Sequence, residues 1–344
     1  MTSKLKIIFV NMCNVGDIFF AQPFVKNIIE NNGDQFEYYI MSRFNYFIYQ
    51  SILSNINIIV NHDQFLKENN INLLTSDLHK YDYYFFKEQN ILFINTWIGN
   101  YIYVHCERKE HFLKYYKESM VECDPVSYIK SYQIMLNLIF QKENIKINYN
   151  NDPLLVVPTF PPNLDISKFL NFKNNNSGKK IVFFNNWYPG SGQLLSIQNN
   201  NADRIRIIDY FIKKNYIVLL PEYDHDLQVY KIENNITDMY FAPLIFDMAI
   251  NTSSYEVYLY AKIAHNCDLA LYFDSGRNFI YVNQEFIDEY KNNINRNTKV
   301  HFAISDLYFK PLSNPLYFPE GYVNYIQASN CDKILEILDN SNYV

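Results

Sequence analysis

Glycine is scarce in this chain, with 8 among 344 residues, against roughly 7% in an average protein. Each one therefore marks its position more sharply than usual. Positive charge is also short: 30 Lys and Arg face 36 Asp and Glu, a net charge of -6, which argues against gripping nucleic acid through a broad basic face. The five cysteines, Cys13, Cys106, Cys123, Cys267 and Cys331, are widely spaced, odd in number and without a C-x-x-C pair. Neither a zinc site nor a disulfide frame is expected, and a reducing compartment suits them. No apolar run approaches the roughly 18 residues that span a bilayer, and KIIFV near the N-terminus is too short for a signal-peptide core. A soluble, cytoplasmic protein is expected. No G-x-G-x-x-G follows a strand, and neither G-x-x-x-x-G-K-[ST] nor G-x-S-x-G occurs. A dinucleotide dehydrogenase, a P-loop NTPase and a Ser/His/Asp hydrolase are thereby disfavoured.

What is present is apolar and rhythmic. Hydrophobic residues make up 49% of the chain, with 31 Tyr and 27 Phe, enough to fill two cores in a chain too long for one. Short continuous runs alternate with longer amphipathic ones, which predicts β-α units around parallel sheets. In the first half KIIFV, FEYYIM, INIIV, YDYYFF and ILFIN read as strands, and Ser127 to Asn144 as the strongest helix. In the second half KKIVFFNN, YIVLLP, ITDMYFA, LALYFD and KVHFAI read as strands. Helices are expected there at Asn201 to Lys214, Ser254 to His265, Asn278 to Tyr290 and Cys331 to Leu338. Pro, Asn, Ser and Gly concentrate between the halves. The expected organisation is an N-terminal Rossmann-like domain over 1–160, a linker over 161–178, a second such domain over 179–330, and a closing helix over 331–344 that returns to the first domain.

Gly16, Gly99, Gly190, Gly192 and Gly276 each fall just after a predicted strand. In open α/β sheets ligands bind outside the carboxyl ends of the strands, where a residue without Cβ admits close approach and the next helix offers free N–H groups. Glycines at these places in both halves predict an interdomain cleft with anion-binding loops. A tight β-α turn needs glycine for its own sake too, so the set carries more than any member.

The stretch GDIFFAQPFVKNI, with Gly16, Asp17 and Pro23, resembles the N-terminal motif of the heptosyltransferase-like glycosyltransferases, glycosyltransferase family 9. The segment from Phe36 to Phe65 resembles that family's second strand, Ser-Arg turn and third strand. AKIAHNCDLALYFDSG, ending in Asp274, Ser275 and Gly276, resembles its late helix and strand. The resemblance implies a GT-B architecture of two Rossmann-like domains, with the acceptor on the first and a nucleotide-sugar on the second. It also implies inversion at the anomeric centre, with no metal and no cofactor beyond the nucleotide diphosphate-sugar donor. Two departures stand out. Arg277 and Asn278 replace the family's usual Pro and His continuation, and the lysine commonly found after the first strand of the second domain is not evident in NNWYPGSGQLL. A degenerate module that binds sugar nucleotide or glycan without turnover therefore stays open, as does another GT-B enzyme such as a polysaccharide pyruvyl transferase or a nucleotide-sugar epimerase.

Glycosyl transfer needs a carboxylate in reach of the acceptor hydroxyl, worth about 10²- to 10⁴-fold as a general base. Asp17, expected on a loop at the cleft, is the candidate; a turn residue or helix cap is the bland reading of the same position. The departing diphosphate needs N–H groups and cations, expected from Ser275, Gly276 and Arg277 at the opening of a helix, with Ser191 and Gly192 as a second cradle. Arg277 as a surface arginine is the competing reading. In PEYDHD, Glu222 or Asp224 would accept hydrogen bonds from ribose hydroxyls; a solvated acidic loop is the competitor, and a D-x-D metal site is disfavoured. Gly16, Thr96 and Trp97 are assigned to the acceptor, Trp97 through stacking on a sugar. The histidines other than His225 show no shared spacing and receive no chemistry. Nucleic acid is not an expected partner, peripheral membrane contact stays open, and the oligomeric state is not legible.

Overall fold

The computed structural model describes residues 4–12, 15–42, 53, 56–78, 82–96, 136–150, 164–185, 201–248, 254–273, 283–292, 299–304, 319, 321–328, 330–341 and 344. At 15–17, 19, 20, 254–257 and 299–304 the description covers the backbone alone. The chain divides into two compact units, Met1–Thr159 and Phe160–Val344.

In the first unit, strand β1 (Lys6–Asn11) leads into helix α1 (Val15–Asn32), which is followed by β2 (Glu37–Ser42), β3 (Asn57–Ile59), α2 (His62–Glu68), β4 (Tyr83–Phe86) and β5 (Ile91–Asn95). Residues 136–142 are helical, within the span predicted from Ser127. The sheet order is β3-β2-β1-β5-β4. All pairs are parallel except the β4–β5 hairpin. β1 is central and buried on both faces, as its unbroken apolar run requires. Ile8 and Val10 join Met41, Ile59, Leu66 and Phe93 in one core layer. Along α1, Ile18, Ala21, Val25 and Ile28 recur at helical spacing and are buried, which fixes the face the helix turns inward.

Side-chain amides of α1 and the turn after it hold a later segment. Asn32 donates to Asn148 O at 2.7 Å and accepts from Asn148 N at 2.8 Å. Asn27 makes the same two-way contact with Asn150, both bonds at 2.8 Å, and Gln35 donates to Lys146 O at 3.2 Å. Alternate residues of an extended chain are thus gripped much as a neighbouring strand would grip them.

The second unit opens with α3 (Ser167–Asn175), inside the stretch expected to be linker. Phe169 and Phe172 of this helix lie edge-on to Phe246, with ring centroids 5.9 Å apart in both pairs. The Asn-rich composition that reads as linker surrounds a short apolar face that packs. Then come β6 (Lys180–Asn185), α4 (Asn201–Lys213), β7 (Tyr216–Leu220), α5 (His225–Glu233), β8 (Met239–Phe241), α6 (Ala242–Phe246), α7 (Ser254–His265), β9 (Leu269–Phe273), α8 (Gln284–Lys291), β10 (Lys299–Ile304), β11 (Val323–Gln327) and α9 (Cys331–Asn340). The sheet order is β11-β10-β9-β6-β7-β8, parallel throughout. Both units are therefore α/β with Rossmann-like, mostly parallel sheets, as expected from the alternating pattern.

The closing helix, expected to return to the first domain, spends its apolar face in the second. Cys331, Ile334 and Leu338 are buried in the same cluster as Val182, Phe184 and Ile207. Lys214 binds Asp339 at 2.9 Å and Arg206 binds Asp332, which ties α9 to α4. The strand β11 before it was not anticipated. Scarce glycine also shows in the turns. Asn70, Asn144, Asn215 and Asn235 follow helices with φ of 54, 57, 64 and 50°, taking the left-handed position that glycine usually fills.

Candidate functional site

Among the described strands each sheet has one place where the chain reverses its direction of strand addition, the position at which open α/β sheets bind their ligands. In the first sheet that place lies between β1 and β5, in the second between β6 and β9. The candidate residues cluster in sequence just beyond these strand ends. Gly16 and Asp17 follow β1, and Thr96 and Trp97 follow β5. Ser191 and Gly192 come after β6, while Asp274, Ser275, Gly276 and Arg277 follow β9 directly.

At the first of these edges the last residues are polar and buried: Asn11, Ser42, Asn95 and Thr96 are each no more than 2% exposed. Asn11 stands opposite Ser42 in the β1–β2 register. Its Nδ2 donates to Thr96 Oγ1 at 3.3 Å, and that hydroxyl donates to Val10 O at 3.1 Å. Thr96, assigned to the acceptor, thus ties β5 to β1 through its own side chain. Gly16 and Asp17 occupy the first turn of α1, not a loop: the helix begins at Val15, four residues after β1 ends. Trp97 lies outside the described residues, as do Ser191, Gly192, Asp274, Ser275, Gly276 and Arg277.

His62, which sequence spacing left without a role, sits at this same edge. It opens α2, capped by Asn61 Oδ1, which accepts from Gln64 N at 3.1 Å. Burial holds its imidazole below the ordinary histidine range, partly opposed by the backbone of Ser42 and of Ile59 and by nearby Asp63. Ser42 Oγ and His62 Nε2 are both buried without a hydrogen-bond partner among the described residues. The signal in the sequence was slight: an Asn-His pair directly after a short strand.

In the second unit Asn185 closes β6 opposite Tyr272 of β9, and both are buried. PEYDHD follows the neighbouring β7. Only its first part is irregular, because Asp224 is the N-cap of α5. Its Oδ1 accepts from Leu227 N at 3.1 Å and its Oδ2 from Arg204 Nη1 at 3.3 Å. A carboxylate with one oxygen on a helix terminus and the other on a buried guanidinium positions α4 against α5. Glu222 is half-buried at the end of β7. Among the described residues the next helix after β9 begins at Gln284 with Asn283 as its cap, and the expected start at Asn278 lies outside the described residues.

No family model matches the chain, and no curated protein matches it in sequence. Solved structures do. It is similar to the glycosyl transferase family 9 protein of Veillonella parvula at 12% identity and TM-score 0.44, covering 98% of this chain and 90% of that one. Similarity to the E. coli ADP-heptose LPS heptosyltransferase II is 12% identity at TM-score 0.45, covering 97% of each chain. The E. coli heptosyltransferase WaaC, with ADP, gives 8% identity and TM-score 0.42 over 97% of each. All three TM-scores lie below 0.5, so the fold assignment rests on the chain's own strand orders. Among the described residues, no His, Cys, Asp and Glu side chains form a group that could hold a metal ion, and no helix is long and apolar enough to cross a membrane.

Proposed function

We propose that the chain is a GT-B glycosyltransferase that moves a sugar from a nucleotide diphosphate donor to a hydroxyl of a glycan or related acceptor. The observation that carries this reading is positional. Two consecutive Rossmann-like units each have a point where the strand order reverses, and the residues that resemble family 9 motifs follow a strand flanking it in both: Gly16 and Asp17 after β1, and Asp274 to Gly276 after β9. In this reading Asp17 takes the proton from the acceptor hydroxyl as its oxygen bonds to the anomeric carbon. The bond from that carbon to the β-phosphate oxygen breaks on the opposite face, and its electron pair leaves with the nucleoside diphosphate. The configuration inverts and no metal takes part. A first-turn position suits such an acid, because helix N-termini favour negative charge. The diphosphate is received by Ser275, Gly276, Arg277, Ser191 and Gly192, with Glu222 left to the ribose now that Asp224 is engaged by α5 and Arg204.

The test is a panel of UDP-, GDP- and ADP-sugars with and without EDTA, reading released diphosphate and nucleotide-induced thermal shift. Asp17→Asn should lower release by about 10²-fold or more while leaving the shift in place, and EDTA should change neither. Release unaffected by the substitution would remove Asp17 as base. A shift without release in the unaltered protein would favour a binding module.

A further inference from the structure

We infer that Ser42 and His62 form a subsite that reads an uncharged sugar hydroxyl rather than a phosphate or carboxylate. That this hydroxyl belongs to the acceptor rests on the glycosyltransferase reading above. Ser42 ends β2 beside Asn11 and is 2% exposed, and its Oγ has no hydrogen-bond partner among the described residues; the same holds for His62 Nε2. Buried hydroxyls and ring nitrogens are rarely left so, and an orphan in a native fold points to a bound molecule that completes it. The two lie in contact at the carboxyl edge of the sheet, since the backbone of Ser42 bears on the His62 ring.

The chemistry of the pair selects its ligand. A serine hydroxyl both donates and accepts, and a neutral imidazole nitrogen does one or the other. Together they match an alcohol, which also does both. An anion would require cations or several converging donors. Burial disfavours the charged form of the ring, and among the described residues the charge beside it is the acid Asp63, engaged by the hydroxyl of Thr75. From the described residues, phosphate or carboxylate would meet that pair beside a negative charge.

Saturation-transfer NMR with methyl glycosides of neutral hexoses, and in parallel with hexose 6-phosphates, tests this on the full chain and on Ser42→Ala and His62→Gln. Melting by circular dichroism verifies that each variant folds. Neutral glycosides should receive saturation from the unaltered protein and hexose phosphates should not, with binding weakened about tenfold in each variant, the scale of one lost hydrogen bond. Stronger binding of the phosphates, binding unchanged in both variants, or no glycoside saturation at all would overturn the subsite, the last meaning that water alone completes it. A nucleotide-sugar thermal shift on the same samples separates the two readings. Its absence defeats the glycosyltransferase, whereas Ser42-dependent glycoside binding without it still leaves a neutral glycan subsite.

Discussion

Asp224 illustrates how one acidic residue can look like a ligand in sequence and a fastener in space. An acid that follows a strand and precedes a helix suits both roles, and only the buried Arg204 guanidinium and the α5 terminus decide between them. Asp224→Ala should cost about 2–4 kcal/mol, from a lost cap and a buried guanidinium without its carboxylate. Asp224→Asn should recover the cap share, and urea denaturation of the two variants separates the contributions. His265 gives a second residue-scale expectation. It stacks on Phe286 with Nε2 2.7 Å from Glu289, and burial lowers its pKa against the raising effect of that acid. The unfolded chain then binds the proton near pH 6.5 while the folded one binds it only at lower pH, so stability falls as pH drops through that window. The urea midpoint should fall between about pH 7.5 and about pH 5.5, and fall less in His265→Gln. His62, shifted the same way, keeps part of the slope.

Among elements, those with a strong period were legible. β5 and β10 fall where ILFIN and KVHFAI placed them, and α7 spans the expected Ser254 to His265. The elements that escaped have weak or interrupted signals. α3 hides its Phe169 and Phe172 among asparagines, α5 opens inside the acidic PEYDHD with no strong period, and β11 alternates too little to stand out as VNYIQ. Asparagine takes left-handed turns and so leaves few places where glycine is required for the turn alone. Of the candidate site, the strand ends could be read from the sequence. The Ser42–His62 contact could not, since it depends on which strands become neighbours. The amide grip of α1 is testable at this scale: Asn27→Ala and Asn32→Ala each remove a pair of bonds to one residue. Each should cost about 1–2 kcal/mol and speed hydrogen exchange at the amides of Asn150 and Asn148 respectively.

For the whole molecule, the division into two units assigns the C-terminus to the second core rather than to a bridge. A chain ending at Asn330 loses Cys331, Ile334 and Leu338, whose side chains are buried in the core cluster of the second unit, on a helix packed against α4 and β11. At about 1.5–3 kcal/mol for each large aliphatic that is a major part of a domain's margin. The truncated protein should lose the calorimetric transition of its second unit and keep that of the first; two intact transitions would contradict the packing described. The hold of α1 on residues 146–150 has a consequence of another kind. Each of the hydrogen bonds described there is made by a carboxamide, a group that neither titrates nor gathers counter-ions. Brine and acid alike should leave that seam closed, so the stretch leading toward the second half keeps a fixed point of departure across conditions that would loosen a joint made of ion pairs.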